Sequence, residues 1–174
     1  MAAREEFQRH GFSGARVDRI AERAGMNKRL IYVHFGDKER LFDTVVTRNL
    51  EAVVNDVPFD AADLPGYAVR LLDYWYAHPE AARLFWWRNL EGSATTPVEE
   101  SAYAHIVADI AAHRAEVSDS RALPPAHLFA FVLALLQAWA IPSTALGSVE
   151  SDHEHANRRH SVREAVERLQ MRRD

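Results

Sequence analysis

Apolar residues recur at helical spacing along the whole chain, and no stretch keeps the alternation that is typical of a β-strand. The clearest early example is the set Val17, Ile20, Ala21 and Ala24, which follows the i, i+3, i+4, i+7 spacing of one helix face. Gly and Pro residues lie between such segments and mark helix ends and beginnings. The pattern therefore predicts an all-α fold of about nine helices without a sheet.

The first third of the chain divides into four helices. Glycines that suit helix C-termini alternate there with Asn27 and Asp37, polar residues that suit helix N-termini. The predicted helices cover residues 2–10, 17–24, 28–35 and 38–57, and the glycines that end the first three are Gly11, Gly25 and Gly36.

Five further helices are predicted in the rest of the chain, several of them opened by Pro, which suits a first helical turn. They cover residues 64–78, 79–92, 97–117, 128–141 and 162–169. The segment 128–141 is apolar nearly all round, so we expect it to be buried on all sides. It is shorter than the roughly 20 residues that a membrane-spanning helix needs, so a buried core helix is the better interpretation.

Composition adds limits on the class of protein. Hydrophobic residues make up 48% of the 174 residues, which is ample for a packed core. The chain has no Cys, so disulfides and thiolate metal sites are excluded. Its start is charged and lacks the apolar centre of a secretory signal, so we expect a soluble, cytoplasmic protein.

Charge is distributed unevenly. The net charge is −4, yet residues 1–50 hold 10 of the 21 Lys and Arg and only 7 of the 25 Asp and Glu. This asymmetry indicates an anionic partner for the first 50 residues. The alternative is a solvated charged surface without a partner.

Helices two and three are short, and they are joined by the tight turn Gly25-Met26-Asn27. This is the helix-turn-helix arrangement, whose second helix enters the DNA major groove. On that helix Ile31 and Phe35 lie four residues apart and face the core. Its basic and aromatic residues then face outwards, and Lys38 at the start of helix four can meet a phosphate.

The segment Glu6–Val46 resembles the TetR family of bacterial transcription regulators. The residues that carry this resemblance are Gly11-Phe12, Ile20-Ala21, Ala24-Gly25, Ile31-Tyr32, His34-Phe35 and Lys38-Glu39 with Leu41. The resemblance implies residues 1–50 as a DNA-binding domain and residues 51–174 as a helical ligand-binding and dimerisation domain. It also implies a homodimeric repressor, or less often an activator, that a small-molecule effector releases from a palindromic double-stranded DNA operator.

Two departures from the family pattern affect the predicted interface. Ala15-Arg16 replaces the usual Ser or Thr before helix two, so a helix cap is missing while Arg16 offers a cation to phosphate. Leu30 replaces a small or hydroxylated residue, which favours contact with a thymine methyl. The predicted DNA-binding residues are Arg16, Lys28, Arg29, Leu30, Tyr32, Val33, His34 and Lys38.

Aromatic residues of the second part could line an effector pocket, although aromatic stripes at helical spacing more often form core. The candidate ligand-binding residues are Trp75, Trp86, Tyr103, His113, Phe129, Gln137 and Trp139. His105, Asp109 and His113 are spaced four residues apart, but the angular drift along a helix separates the two His. We therefore predict no metal site and no cofactor.

The last two helices are the predicted dimer interface, because two apolar helices from each chain can form a four-helix bundle. The candidate interface residues are Leu128, Val132, Leu135, Val162, Val166 and Leu169.

Enzyme activity is not predicted, since the sequence contains no nucleophile elbow, no glycine-rich phosphate loop and no H-E-x-x-H motif. The competing hypothesis is a helical scaffold that does not bind DNA. A further expectation concerns the start: helix one begins at Ala2 with Phe7 as its one large apolar residue, so we expect the natural protein to have a basic arm upstream of Met1.

Overall fold

The computed structural model describes residues 2–91, 95–116, 123–140 and 154–170, which form nine helices and no strand. The helices are α1 (Ala2–Gly14), α2 (Val17–Ala24), α3 (Lys28–Phe35), α4 (Lys38–Asp56), α5 (Leu64–Ala77), α6 (Pro79–Leu90), α7 (Pro97–Glu116), α8 (Pro125–Ala140) and α9 (Glu154–Gln170). The predicted all-α class is confirmed. The predicted helix ends at Gly92, Val117 and Ile141 lie outside the described residues.

The chain folds as two compact units. The first consists of Met1–Ala52 and His78–Glu100, and the second of Val53–Ala77 and Ser101–Asp174. Helix α6 therefore belongs with the four N-terminal helices, which sequence periodicity alone did not indicate. The functional division at residue 50 remains a prediction.

The first unit has its own apolar core. Phe7 and Phe42 are completely buried, and their rings meet edge to face with centroids 4.9 Å apart. Leu84 of α6 joins the same cluster, together with residues of α2, α3 and α4. The core fixes the two helices of the helix-turn-helix against α1 and α4, because each contributes its apolar face to one cluster.

The second unit is built on contacts of α5 with α8 and α9. Its buried residues include Leu71 and Leu72 of α5, Leu128 of α8 and Val162 of α9. Among the described helices, none has both the length and the apolar character to cross a bilayer.

The expectation that α8 is buried on all sides is wrong for the single chain. Its inward side chains are fully or almost fully buried, namely Leu128, Phe129, Val132 and Leu136. The opposite face is exposed over the helix and carries no charge; it consists of His127, Ala130, Phe131, Ala134, Gln137 and Ala138. A helix that is apolar on every side is therefore not necessarily buried on every side within its own chain.

Candidate nucleic-acid interface

The turn between α2 and α3 has the geometry of a helix C-terminus closed by glycine. Gly25 has φ 63° and ψ 29°, in the left-handed region that a side chain disfavours. The N–H of the next residue, Met26, donates to the carbonyl of Ala21 at 2.9 Å. The pattern is that of a Schellman turn, so the predicted role of Gly25 is confirmed.

Polar caps define the start of α3 and of α4. Asn27 Oδ1 accepts a hydrogen bond from the Arg29 N–H at 2.8 Å, and Asp37 Oδ1 accepts from the Arg40 N–H at 2.7 Å. Gly36, with φ 86°, separates the two helices. Both caps were predicted from residue type, and both are confirmed.

Helix α3 is anchored on one side only. Ile31 is buried in the core of the first unit and Phe35 packs against that core, which sets the rotation of the helix. At 100° per residue, Arg29, Leu30 and Val33 then lie on the outward face. Val33 is 70% exposed, the largest exposure of any apolar side chain on this helix.

The cations around α3 differ in how they are held. Lys28 Nζ lies 2.9 Å from both carboxylate oxygens of Asp18, and the hydrogen bond to that carboxylate raises the pKa of Lys28. Lys38 Nζ lies 4.7 Å from the Phe12 ring centre. The guanidinium groups of Arg16 and Arg29 have no ion-pair partner in the described part of the chain. These two are therefore available to DNA without the loss of an internal ion pair.

The structure brings the predicted DNA-binding residues onto α3 and the segments beside it. Lys38 is half-buried, and the others are exposed: Arg16, Lys28, Arg29, Leu30, Tyr32, Val33 and His34.

Glu6 was not predicted as a functional residue, yet its carboxylate binds Arg16, the residue that precedes α2. Its side chain is fully buried, and its Oε1 accepts the Arg16 N–H at 3.0 Å and the Arg19 Nε–H at 2.7 Å. Burial alone would raise the pKa of the Glu6 carboxyl, but these two hydrogen bonds and the charge of Arg19 outweigh burial. The net pKa is below the ordinary value of 4.5, so Glu6 is ionised at neutral pH.

A second unpredicted carboxylate, Glu91 at the end of α6, holds the bend in α1. Its two oxygens accept the N–H groups of Phe12 at 2.6 Å and Ser13 at 3.1 Å. The preceding residue, Gly11, has φ 65° and ψ −174°, and a Cβ there would lie 2.9 Å from Glu91 Oε1. Only the fold reveals this contact, because 79 residues separate its partners along the chain.

A third unpredicted feature is a buried charge network. Arg88 of α6 is only 4% exposed and donates to Asp43 at 2.8 Å and to Glu99 at 3.0 Å. Glu99 also forms a capping box with Thr96, in which each side chain accepts from the other residue's backbone N–H at 2.8 and 3.2 Å. Arg88 thus ties α6 to α4 and to the beginning of α7. In the sequence, the spacing Thr96-x-x-Glu99 is the signal that indicates the capping box in this network.

The predicted effector residues do not form one group. Tyr103 and Phe129 meet with ring centroids 5.9 Å apart, and Phe129 also lies 6.5 Å from Tyr67. Trp86 belongs to the first unit, whereas the other six candidates belong to the second. The remaining four are buried Trp75, half-buried His113 and Trp139, and exposed Gln137.

Most of the predicted dimer residues are already covered by their own chain. Leu128, Val132, Val162 and Val166 are at most 1% exposed, so they have no side-chain surface left for a partner. Leu135 and Leu169 are half-buried. Of the six predicted residues, Leu135 and Leu169 therefore keep side-chain surface that a partner could contact.

A cavity of about 360 Å³ lies within the first unit, away from the predicted effector residues. It is lined by the start of α1 and by apolar side chains of α2, α3 and α4, including Ala2, Ala3, Ile20, Ile31, Leu41 and Val45.

Comparison with known families agrees with this arrangement. The model of bacterial regulatory proteins of the tetR family matches residues 1–45, and the tetracyclin repressor-like C-terminal domain matches residues 63–168. The chain therefore belongs to the tetR family of bacterial regulatory proteins and is a DNA-binding transcriptional regulator. The scaffold hypothesis is set aside, since residues 1–45 match the family's N-terminal model.

Individual relatives are also transcription factors. The HTH-type transcriptional repressor SCO4008 of Streptomyces coelicolor is 40% identical over 146 residues, which cover 80% of this chain and 74% of the relative. The HTH-type transcriptional repressor NicS of Pseudomonas putida is 37% identical over 98 residues, and the match spans 51% of this chain and 45% of NicS.

Solved structures extend the similarity over the full chain. SCO4942 from Streptomyces coelicolor superposes with a TM-score of 0.81 at 33% identity, covering 99% of this chain and 96% of its own. The fatty acid degradation regulator FadR from Bacillus halodurans reaches a TM-score of 0.65 at 15% identity, covering 95% and 94%. The second likeness shows the fold alone.

Proposed function

We propose that this protein is a homodimeric repressor that binds a palindromic operator through α3 and is released by a small-molecule effector. DNA binding is supported by the outward face of α3, on which the side chain of Arg29 is exposed. The side chains of Asn27 and Asp37 cap the starts of α3 and α4 and so fix the position of this face. Arg16, Lys28 and Lys38 lie on adjacent segments and can hold phosphates on either side of the groove. The similarity to the named repressors SCO4008 and NicS supports repression as the direction of control.

The first test concerns Arg29. Replacing Arg29 with Ala should weaken operator binding, because the side chain is exposed on the outward face of α3 and is available to DNA. A base contact predicts a sequence-selective loss of about 1–3 kcal/mol. A phosphate contact predicts a loss on all sequences and a salt slope reduced by about 1. Fluorescence anisotropy at several salt concentrations separates the two.

Arg83→Ala is the matched control, since Arg83 is an exposed arginine on α6 rather than on the helix-turn-helix. It should leave affinity and salt slope unchanged. Equal operator affinities and salt slopes for the two variants would show that Arg29 is not part of the DNA interface.

The effector is proposed to bind in the second unit, next to the aromatic group formed by Phe59, Tyr67, Tyr103 and Phe129. Phe59 and Tyr67 meet edge to face at 5.0 Å, and both contact Phe129. Burial raises the pKa of Tyr67 to about 12, so its hydroxyl is neutral at physiological pH. Aromatic walls with the hydroxyls of two tyrosines suit a largely apolar ligand that has a hydrogen-bonding group.

The dimer is proposed to form through the outward face of α8 together with α9. The face carries Ala130, Phe131, Ala134 and Ala138, and Phe131 is 48% exposed. Small and aromatic side chains without charge allow two helices to approach closely and bury apolar area. The face is continuous over about three helical turns, which suits a helix-to-helix contact between two copies.

Phe131→Glu should convert the dimer into a monomer at micromolar concentration, because it would bury an unpaired charge between two helices. Ala111→Glu introduces the same charge at an exposed position on α7 and should leave the dimer intact. Light scattering measures both masses. If Phe131→Glu kept the assembly mass of the wild-type protein, this face of α8 would not be the dimer interface. Val166→Glu cannot test the interface, because Val166 is buried within its own chain.

A further inference from the structure

We propose that Leu30 and Val33 read the 5-methyl groups of thymines at adjacent base pairs in each operator half-site. This inference rests on the proposed function, in which α3 enters the major groove. Leu30 is 43% exposed and Val33 is 70% exposed. They lie three residues apart on α3: Val33 is on the face opposite the buried Ile31, and Leu30 is on the flank of that face, about 100° from Ile31.

The chemistry of the groove limits what these two side chains can recognise. Each base pair presents a distinct pattern of donors and acceptors in the major groove, and only thymine presents a methyl group. Leucine and valine have no polar atoms, so they can distinguish bases only through apolar contact and shape. An aliphatic pair on the outward face of α3 therefore selects thymine methyls.

The spacing along the helix fits neighbouring base pairs. Three residues of an α-helix advance about 4.5 Å along the axis. Consecutive base pairs of B-DNA are about 3.4 Å apart. Leu30 and Val33 can thus reach methyl groups on successive steps, but not on the same base.

The polar residues around this pair have a different task. Lys28 is paired with Asp18, and Lys38 is held over the Phe12 ring, so both are fixed at the edges of the reading face. Contacts from such positions to phosphate set the register of the helix and carry no sequence information. Sequence selection on the outward face of α3 is then left to Arg29, Leu30 and Val33.

The experiment starts with selection of operator sequences from a pool of randomised double-stranded DNA by the full chain. Each thymine of the selected site is then replaced with uracil, which pairs identically but lacks the methyl group. At two adjacent positions in each half-site, we expect every replacement to weaken binding about fourfold. That factor corresponds to the transfer of one methyl-sized group, about 0.8 kcal/mol.

Two variants assign the contacts. Leu30→Ala should abolish the uracil penalty at one position and keep it at the neighbouring one, and Val33→Ala should do the reverse. Met26→Ala is the matched control, because Met26 is also an exposed apolar residue but lines the cavity beside Ile31. It should keep both penalties. Thermal unfolding verifies that each variant is folded.

The outcomes separate this inference from the proposed function. If a defined operator is selected and no replacement of thymine with uracil weakens binding, the proposed recognition of thymine methyl groups is wrong, while the DNA-binding function still holds. Penalties that persist unchanged in both alanine variants overturn the assignment to Leu30 and Val33. A pool that yields no enriched sequence contradicts the proposed function itself, and this inference with it.

Discussion

Replacing Arg88 with Ala should destabilise the protein by about 3–5 kcal/mol, because removal of one member of a buried ion pair leaves the other charge uncompensated. Arg88 is 4% exposed, and its partner Glu99 has a side chain only 10% exposed. For a chain of this size, that loss lowers the melting temperature by roughly 6–20 °C. Urea unfolding at neutral pH gives the free energy directly.

Two further variants test the reason for the loss. Adding Glu99→Gln to Arg88→Ala removes the uncompensated charge and should restore part of the stability. Arg83→Ala, on the same helix but exposed, should change stability by less than about 0.5 kcal/mol. A loss below about 1 kcal/mol for Arg88→Ala would mean that the network does not stabilise the unit.

Gly11→Ala is expected to be comparably damaging. Its φ of 65° with ψ −174° lies in a region almost restricted to glycine, at a cost of about 1–3 kcal/mol for another residue. The new Cβ would also lie 2.9 Å from Glu91 Oε1 and 3.0 Å from the Trp87 ring. Overpacking of this kind adds about 1–3 kcal/mol. Differential scanning calorimetry measures the combined effect.

Gly14→Ala provides the matched control three residues away. Gly14 has no positive φ, and the nearest atom to a new Cβ is His10 Cβ at an ordinary 3.4 Å. This substitution should be neutral or stabilise the chain by up to about 1 kcal/mol. Similar melting temperatures for the two variants would contradict the conformational argument for Gly11.

Operator affinity of the Gly11→Ala chain is a second readout. The bend in α1 contributes Phe12, whose ring lies 4.7 Å from Lys38 Nζ, and Ser13, whose carbonyl accepts from the same nitrogen at 3.5 Å. Lys38 is a proposed phosphate contact. A folded variant should therefore bind DNA more weakly below its melting temperature.

The sequence determined the local elements of this protein. Glycines at positive φ ended α2 and α3, and Asn27 and Asp37 capped the next helices, because these effects depend on one residue and its nearest neighbours. Helical periodicity indicated the class of fold and the rotation of α3 about Ile31, since the direction of a side chain follows directly from its position along a helix. The residues exposed on α3 could therefore be predicted from the sequence alone.

Tertiary structure decided what depends on distant partners. The pairing of Glu91 with Phe12 and Ser13, and of Arg88 with Asp43, joins residues 45 to 79 positions apart, and no local pattern specifies which segments meet. The exposure of the uncharged face of α8 could not be predicted from the sequence for the same reason. Composition identified α8 as apolar, but only the positions of α5 and α9 determine which of its faces the chain covers and which face is left for a partner.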